Sequence, residues 1–520
     1  MAENNGKTVK TVSYMLLITL IGKLLGLVRD QYLALNYSIG MNAVAFMTAS
    51  RIPRLFFDAV FASAISASFI PVFNEYLSKK GKDEAFKLAN RFITIIGILT
   101  VVFTVVGTIF APEAVKLLAT GLDEETASLT IRLLRYMFPS IVFTGIAFSF
   151  VGILQSMDEF TIPAAMSAVS NIIVIAYYIF FNDKYGVYGL TAAFMLGWFI
   201  QAAIQIPPLI KKGYVFKPSL RIKDEGLKKI GLLMLPVMVS TWIQPINFAV
   251  STNFASWLYE GTGQAVAVME YANNLYTIIV GVIVLSIANV IFPKLSRLSS
   301  ANDGDGFAGT INGTLRAMAF IIIPMMVGLM CISDETVRLI YMRGDFGESA
   351  ASLTASALFF LCPGMIGYGL QNILSRAYFA NMSGKLPLIS GAVSIVTNVV
   401  LCAALKDNMG VGGLALASAA ASTVSAVILF VPMHRKNKAI IDKGFAVDMV
   451  KIAVSASTMG VAVMAVKGVI SGVAGTGFMA SFVVAGVAVA TGIIVYGILV
   501  VVLKVDEARI ALGFVKRGRK

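Results

Sequence analysis

Six charged side chains fall inside the first two apolar segments of the chain, at positions where a helix would cross a membrane. They are Lys23, Arg29 and Asp30 in the first segment and Arg51, Arg54 and Asp58 in the second. A charge in hydrocarbon costs about 3 kcal/mol or more unless it faces water or a partner, so charges at this depth usually have a function. Four positive and two negative groups form a net cationic patch, which can attract an anion. Because a guanidinium presents a planar fork of donors to phosphate oxygens, several basic groups together suit a diphosphate.

The spacing in the second segment places its charges together. On a helix, Arg51, Arg54 and Asp58 lie at i, i+3 and i+7 and share one face, and Arg54 with Asp58 has the spacing of an ion pair. Pro53 interrupts the backbone hydrogen bonds beside the arginines, as is expected where a helix lines a cavity rather than lipid. The sequence therefore predicts a polar, cavity-facing surface on this helix.

Each of these residues also has a simpler interpretation. Lys23 and Arg29 have side chains long enough to extend to the membrane surface. Arg54 with Asp58 is compatible with a structural salt bridge between helices. Six charges in two adjacent segments exceed what packing needs, so the sequence favours the anion site.

The corresponding part of the second half of the chain carries neutral polar groups instead. They are Gln244, Asn247, Thr252, Asn253, Asn273 and Asn274. Side chains of this kind suit sugar hydroxyls, or hydrogen bonds between helices.

Catalytic groups are sparse. His434 is the single histidine and lies in a basic loop, so neither a Ser-His-Asp nor a Cys-His arrangement can be assembled. The three cysteines fall in or beside apolar segments and predict neither a disulfide framework nor a metal site. No GxxxxGK[ST] sequence is present, so the chain itself does not hydrolyse ATP. We therefore expect no enzyme and no cofactor, which leaves a coupling cation or the membrane potential to supply energy.

The elements that carry these residues are membrane-spanning helices. The 520 residues are 58% hydrophobic and only 13% charged, with a mean hydropathy of +0.82, which excludes a water-soluble, disordered or fibrous chain. Since a span needs about 20 apolar residues, the pattern predicts an all-α integral membrane protein with about fourteen transmembrane helices. The predicted spans are 12–37, 43–75, 90–111, 130–154, 161–181, 187–210, 229–257, 266–292, 311–332, 352–378, 386–405, 411–433, 447–467 and 479–503.

The basic residues predict the orientation, because Lys and Arg are retained on the cytoplasmic side. The terminal segments and alternate loops hold most of them, so both termini are predicted to be cytoplasmic. The opposite loops hold only Lys116, Lys184, Arg338, Arg343, Lys406 and Lys467. This asymmetry explains the formal net charge of +14 without nucleic acid, and clusters such as Lys211, Lys212 and Lys217 are predicted to contact anionic membrane lipids.

Recurring prolines predict an internal duplication. The pairs are Pro71 with Pro293, at an offset of 222, and Pro139 with Pro363 and Pro163 with Pro387, each at 224. Chance is the alternative, since proline is common in membrane helices. A repeat of six spans predicts two lobes facing each other across a central cavity, residues 1–228 and 229–446. Residues 447–520 then hold two extra helices and a basic cytoplasmic tail.

Five segments, in order along the chain, resemble a known family. They are Gly-Lys-Leu-Leu-Gly-Leu-Val-Arg-Asp (22–30), Phe-Ile-Pro-Val-Phe-Asn-Glu-Tyr (69–76), Tyr-Ala-Asn-Asn-Leu-Tyr (271–276), Arg-Gly-Asp-Phe (343–346) and Leu-Ser-Arg-Ala-Tyr-Phe-Ala (374–380). Together they resemble the MurJ/MviN lipid II flippases of the multidrug/oligosaccharidyl-lipid/polysaccharide exporter superfamily. The resemblance runs over the whole chain and includes the family's fourteen spans.

The resemblance implies a multi-pass protein of the bacterial cytoplasmic membrane. Such a protein moves lipid II, the undecaprenyl-diphosphate-linked peptidoglycan precursor, from the inner to the outer leaflet. Arg29 and Asp30 match the family's Arg-Asp motif, and Lys23 falls where the family has a cavity arginine. The chain departs from the family at Asn274, where an arginine is usual, and at Phe57, where the family has a basic residue. It also has Ser383 where many members carry an acidic residue linked to a sodium site.

The main hypothesis is a lipid II flippase that works by alternating access. Lys23, Arg29, Arg51 and Arg54 would bind the diphosphate, and by resemblance the last two spans would hold the polyprenyl tail. Gly22 and Gly26 form a small-xxx-small pattern typical of close helix contact. By the same resemblance they are candidate hinges of the first helix.

Three rivals remain. The first is a translocase of another undecaprenyl-linked glycan, and the second is a cation-coupled multidrug exporter, which should show a cavity carboxylate and an aromatic cage. The third is a scaffold without transport activity. Expected partners are lipid II, membrane lipids and cell-wall synthesis enzymes, with no nucleic acid.

Overall fold

The structure is a computed structural model that describes residues 2–221, 223–474 and 478–509. The described residues form α-helices, a few single turns of other helix types and connecting loops, with no β-strand among them. The α-helices are α1 (Ala2–Tyr37), α2 (Met41–Ala64), α3 (Ile70–Lys79), α4 (Lys82–Ile109), α5 (Ala111–Leu118), α6 (Glu124–Met137), α7 (Ser140–Ser156), α8 (Thr161–Phe180), α9 (Asn182–Ala203), α10 (Ile206–Lys211), α11 (Glu225–Thr241), α12 (Ile243–Ser256), α13 (Gln264–Ser300), α14 (Gly304–Cys331), α15 (Ser333–Tyr341), α16 (Glu348–Leu361), α17 (Gly364–Ala380), α18 (Lys385–Lys436), α19 (Lys443–Ala474) and α20 (Phe478–Val502).

The chain divides into two compact units, Met1–Ala267 and Val268–Lys520. Unit 1 contains α1 to α12, and unit 2 contains α14 to α20 with most of α13. The lobe boundary predicted between residues 228 and 229 falls within α11, whereas the unit boundary follows α12, because α11 and α12 pack against α2. The division into two lobes of six spans stays a prediction.

Each of the fourteen predicted spans falls on helix in the structure. Among the described residues, eight helices are long and apolar enough to cross a membrane, or ten if two bent pairs count as one span each. One of the eight, α18, covers two predicted spans and is divided at Gly410, where φ is 54° and ψ is −132°. The all-helical membrane architecture is confirmed, and the count of fourteen stays a prediction.

Helices of the two units repeat at the offsets that the prolines predict. Both α4 and α14 have 28 residues, and they begin 222 positions apart. Pro139 precedes a bend of 41° between α6 and α7, and Pro363 precedes a bend of 47° between α16 and α17. Gly186 and Gly410, again 224 positions apart, have nearly the same left-handed φ, 52° and 54°, which favours glycine. These shared irregularities favour duplication over chance.

The helix that carries Arg51 and Arg54 is irregular. Pro53 lies inside α2 and has no N–H to donate to the carbonyl four residues earlier. A π-turn at Ile65–Phe69 then joins α2 to α3. Turns of this type occur frequently at functional sites, because they redirect side chains that a regular helix would place elsewhere. α2 is continuous through Pro53, and the cavity-facing role of this part of the helix stays a prediction.

Glycine allows α17 and α18 of unit 2 to pack closely against each other. A Cβ atom on Gly367 of α17 would lie 2.6 Å from the backbone nitrogen of Thr423 on α18, and backbone cannot move aside as a flexible side chain can. We expect Gly367→Val to lower the free energy of unfolding by about 1–3 kcal/mol, measured by thermal unfolding in detergent. Gly313 of α14 has open space around its Cβ position, so Gly313→Val is the matched control. Equal losses in the two variants would contradict the packing argument.

Candidate functional site

Arg29 of α1 is held in a network of side chains in unit 1. Its Nη2 lies 2.7 Å from Oδ1 of Asp30, and its Nε donates to the same oxygen at 3.0 Å. Its Nη1 donates to Oδ1 of Asn171 on α8 at 3.2 Å. The Asp30 side chain is buried, and about a quarter of the Arg29 side chain, 26%, is exposed. The neighbouring carboxylate and amide therefore orient the guanidinium of a partly exposed side chain.

Asn171 also fixes the distance between α1 and α8. Its Nδ2 donates to the backbone carbonyl of Gly22 at 3.0 Å. A Cβ atom on Gly22 would lie 3.4 Å from the backbone nitrogen of Ala168, and one on Gly26 would lie 3.4 Å from Nδ2 of Asn171. Both glycines are thus at the α1–α8 contact, as the small-xxx-small pattern predicts. Their role as hinges stays a prediction, and α1 is a continuous helix through both positions.

Lys23 is the second basic residue of α1, and it is partly buried. Among the side chains that the structure describes, none forms a hydrogen bond or ion pair with it. Asp30, seven residues along the helix, contacts Arg29 instead. A partly buried ammonium at membrane depth needs water or a counter-charge, and an anionic ligand would supply that charge.

The arginines of α2 lie in the same unit and face different surroundings. The Arg51 guanidinium stacks on the ring of Phe248 of α12, 3.0 Å from its centroid. Stacking of this kind stabilises a guanidinium while leaving its edge for hydrogen bonds. Arg54, one turn later, is exposed. The side chain of Asp58 lies outside the described part of the structure, so its pairing with Arg54 stays a prediction.

The remaining predicted site residues, Asn273 and Asn274, belong to unit 2. Both are partly buried on α13. They follow Tyr271, whose ring packs against Tyr341 and Phe346 with centroid distances of 4.9 and 5.3 Å. This aromatic cluster fixes the turn of α13 that presents the two amides.

Asn171 is a site residue that the sequence analysis misses. Its hydrogen bonds predict that replacing it destabilises the protein. Replacing it with Ala removes the interhelical hydrogen bond to the Gly22 carbonyl, which accepts a second bond within α1, and one of the hydrogen-bond partners of the Arg29 guanidinium. We expect Asn171→Ala to lower the free energy of unfolding by about 1–3 kcal/mol. Thermal unfolding of the detergent-solubilised protein measures the loss. Ser167→Ala is the control, because the Ser167 hydroxyl lies 3.5 Å from Asn171 Nδ2 and contributes little. Equal effects would contradict the role of Asn171.

Unit 2 contains a buried charge cluster that the sequence analysis also misses. Arg316 of α14 is only 9% exposed. Its Nη1 lies 2.6 Å from Oδ2 of Asp448, its Nη2 lies 2.7 Å from Oδ1 of Asp442, and its Nε donates to Oδ1 of Asn312 at 2.8 Å. The cluster joins α14 to α19. Its signal in the sequence is a pair of opposite charges just inside predicted spans nine and thirteen.

Further carboxylates surround the same arginine. Oδ2 of Asp506 lies 3.8 Å from Nη1 of Arg316. Burial, and to a smaller extent the charge of Asp448, raise the pKa of the adjacent Glu507. Arg316 therefore balances several negative groups at once, and its contacts connect α14, α19 and the segment after α20.

Comparisons with known proteins agree with the helical architecture. A sequence model of the family described as lipid II flippase MurJ matches residues 36–485. A probable lipid II flippase MurJ of Vibrio cholerae is 30% identical over 432 residues, which cover 80% of this chain and 81% of the relative. The family match includes the arginines of α2 and begins after Lys23 and Arg29.

Two solved structures share the fold. A lipid II flippase MurJ in an inward closed conformation has a TM-score of 0.78 at 23% identity, covering 95% of this chain and 99% of that one. An inward-facing MATE family transporter of the MOP superfamily has a TM-score of 0.68 at 15% identity. The match covers 82% of this chain and 98% of the transporter. These two likenesses concern the fold alone. By the family match over most of its length and its identity to the Vibrio relative, the protein belongs to the lipid II flippase MurJ family.

Proposed function

We propose that the protein translocates lipid II from the inner to the outer leaflet of the bacterial cytoplasmic membrane. Membership of the MurJ family supports this function over a drug exporter or a scaffold. The observation that carries it in this chain is the set of four basic residues on α1 and α2. A diphosphate is the part of lipid II that such a set would bind.

The basic residues have different tasks in this proposal. Arg29, oriented by Asp30 and Asn171, donates to the diphosphate in a fixed direction. Arg51, stacked on Phe248, does the same from α2. Lys23 and Arg54 make further charge-assisted contacts with the diphosphate, and their charge also attracts the anion.

Other helices bind the sugar and the polyprenyl tail of the substrate. Asn273 and Asn274 of unit 2 bind sugar hydroxyls, and α19 with α20 holds the polyprenyl tail. Transport proceeds by alternating access between the two predicted lobes, residues 1–228 and 229–446, with Gly22 and Gly26 as hinges and Asp58 as the partner of Arg54. Both termini are cytoplasmic, and a coupling cation or the membrane potential drives the cycle.

Reconstitution tests the function. Purified protein in liposomes that contain labelled lipid II should expose the label to the opposite leaflet faster than protein-free liposomes do. A lipid carrier of the O-antigen type, which has the same polyprenyl diphosphate and a different glycan, is the comparison substrate. Translocation of that carrier with no translocation of lipid II would overturn the proposal.

A further inference from the structure

An apolar groove on unit 1 lies apart from the basic residues of α1 and α2. We propose that this groove binds one acyl chain of an anionic phospholipid, whose phosphate contacts Lys211 and Lys217. The site is separate from the one proposed for the transported lipid. It makes the protein selective for the headgroup of a lipid that is not transported.

The groove is formed by α4, α7 and the segment that runs from α10 to residue 216. Its volume is about 740 Å³, and its lining is almost entirely aliphatic and aromatic. Gly97, Val101, Ile146, Ile210 and Phe216 are among the residues that line it. Because Gly97 has no side chain, it leaves a depression in the surface of α4, with nothing within 4 Å of its Cβ position.

The wall after α10 is fixed by hydrogen bonds to α4. The hydroxyl of Tyr214 donates to Oδ1 of Asn90 at 2.7 Å, and the backbone N–H of Lys217 donates to the same oxygen at 3.2 Å. The backbone N–H of Ser219 donates to Oγ1 of Thr94 at 3.0 Å. These bonds satisfy backbone donors that a loop would otherwise direct to water. The groove is therefore formed before any ligand enters.

The internal repeat allows this surface of α4 to be compared with the corresponding surface of α14 in unit 2. Ile98 and Val101 of α4 correspond, at the offset of 222, to Phe320 and Ile323 of α14. Phe320 and Ile323 pack against a cluster from α19, α20 and the segment after α20, and the hydroxyl of Tyr496 donates to the carbonyl of Phe320 at 2.8 Å. In unit 1, Ile98 and Val101 are 46% and 49% exposed. Protein covers this face in one unit, and a lipid chain covers it in the other.

Two lysines that directly follow lining residues of the groove determine which phospholipid headgroup the site prefers. Lys211 follows the lining residue Ile210, Lys217 follows the lining residue Phe216, and both lysines are exposed. Each lysine near a membrane surface strengthens binding to anionic lipid. A zwitterionic lipid would contact the apolar lining of the groove and gain little from the two lysines. The combination of an apolar groove and an adjacent basic pair therefore favours a negatively charged headgroup.

Filling the groove tests the site for the acyl chain. A Cβ atom at Gly97 has no protein atom within 4 Å, so Gly97→Leu places a side chain in the depression and we expect a normally folded protein. Delipidated protein is titrated with phosphatidylglycerol, and native mass spectrometry counts the bound lipids. Gly97→Leu should remove the tightest-bound lipid, whereas Gly313→Leu, also in open space but in unit 2, should keep it. Retention of that lipid by Gly97→Leu would overturn the proposal.

Removing the two lysine charges tests the proposed preference for an anionic headgroup. The double change Lys211→Gln and Lys217→Gln should weaken phosphatidylglycerol binding at this site about tenfold and leave phosphatidylcholine binding unchanged. Lys436→Gln with Lys438→Gln, another exposed basic pair, is the control. Equal binding of the two lipids by the unchanged protein would overturn the selectivity. Neither titration involves lipid II, so its outcome is independent of the proposed transport function.

Discussion

The double substitution Lys23→Ala and Arg54→Ala should abolish the ability of this protein to rescue growth of a bacterial strain depleted of its own lipid II flippase. Each residue contributes a charge-assisted contact of about 1.5–3 kcal/mol to diphosphate binding, so the double change weakens binding by about a hundredfold or more. Arg54 is an exposed side chain, and Lys23 forms no hydrogen bond or ion pair with a described side chain. Colony formation after depletion is the readout, with protein level in the membrane measured in parallel.

Two further variants separate charge from geometry. Arg54→Lys keeps the charge and removes the planar fork, so we expect partial rescue. Arg132→Ala is the matched control, because Arg132 is exposed on α6 and belongs to no proposed site. Full rescue by the Lys23 and Arg54 double variant at normal protein level would contradict the diphosphate assignment.

Arg316→Ala should produce the largest loss of stability. Asp448 is only 3% exposed, and without Arg316 its carboxylate would keep only the longer ion pair with Lys451, at 3.6 Å. Removing the main partner of a buried ion pair costs about 3–5 kcal/mol, because a poorly compensated charge is left behind. Thermal unfolding in detergent should show a strongly lowered midpoint.

The control for this change lies at the edge of the same cluster. Arg509→Ala removes an ion pair with Asp506 in which both side chains are mostly exposed, at a distance of 3.9 Å. Exposed pairs contribute about 1 kcal/mol at most, so this midpoint should change little. Similar midpoints for the Arg316 and Arg509 variants would show that the buried cluster does not stabilise unit 2.

Much of the fold follows from composition and proline spacing. Long apolar segments leave helix as the only membrane-spanning option, and each predicted span falls on helix. The prolines at 139 and 363 correspond to bends because proline removes a helical hydrogen bond. The matching glycines 186 and 410 escape the sequence analysis, since glycine is frequent in this chain and its φ angle has no signature in sequence.

The site is predictable in part. Charges inside apolar segments make Lys23, Arg29 and Arg51 candidate site residues, because burial of a charge is costly and rarely accidental. The partners that orient them, Asn171 and Phe248, are distant in sequence and of types that are common in membrane helices. Only the packing of α1 on α8 and of α2 beside α12 brings them to the arginines.

The central claim is that the basic residues of α1 and α2 bind a diphosphate. The most direct test compares the affinity of the purified protein for lipid II with its affinity for the same lipid-linked sugar carrying a single phosphate. We predict that the unchanged protein prefers the diphosphate by about tenfold or more, and that the Lys23 and Arg54 double variant loses this preference. An undiminished preference in the variant would contradict the account.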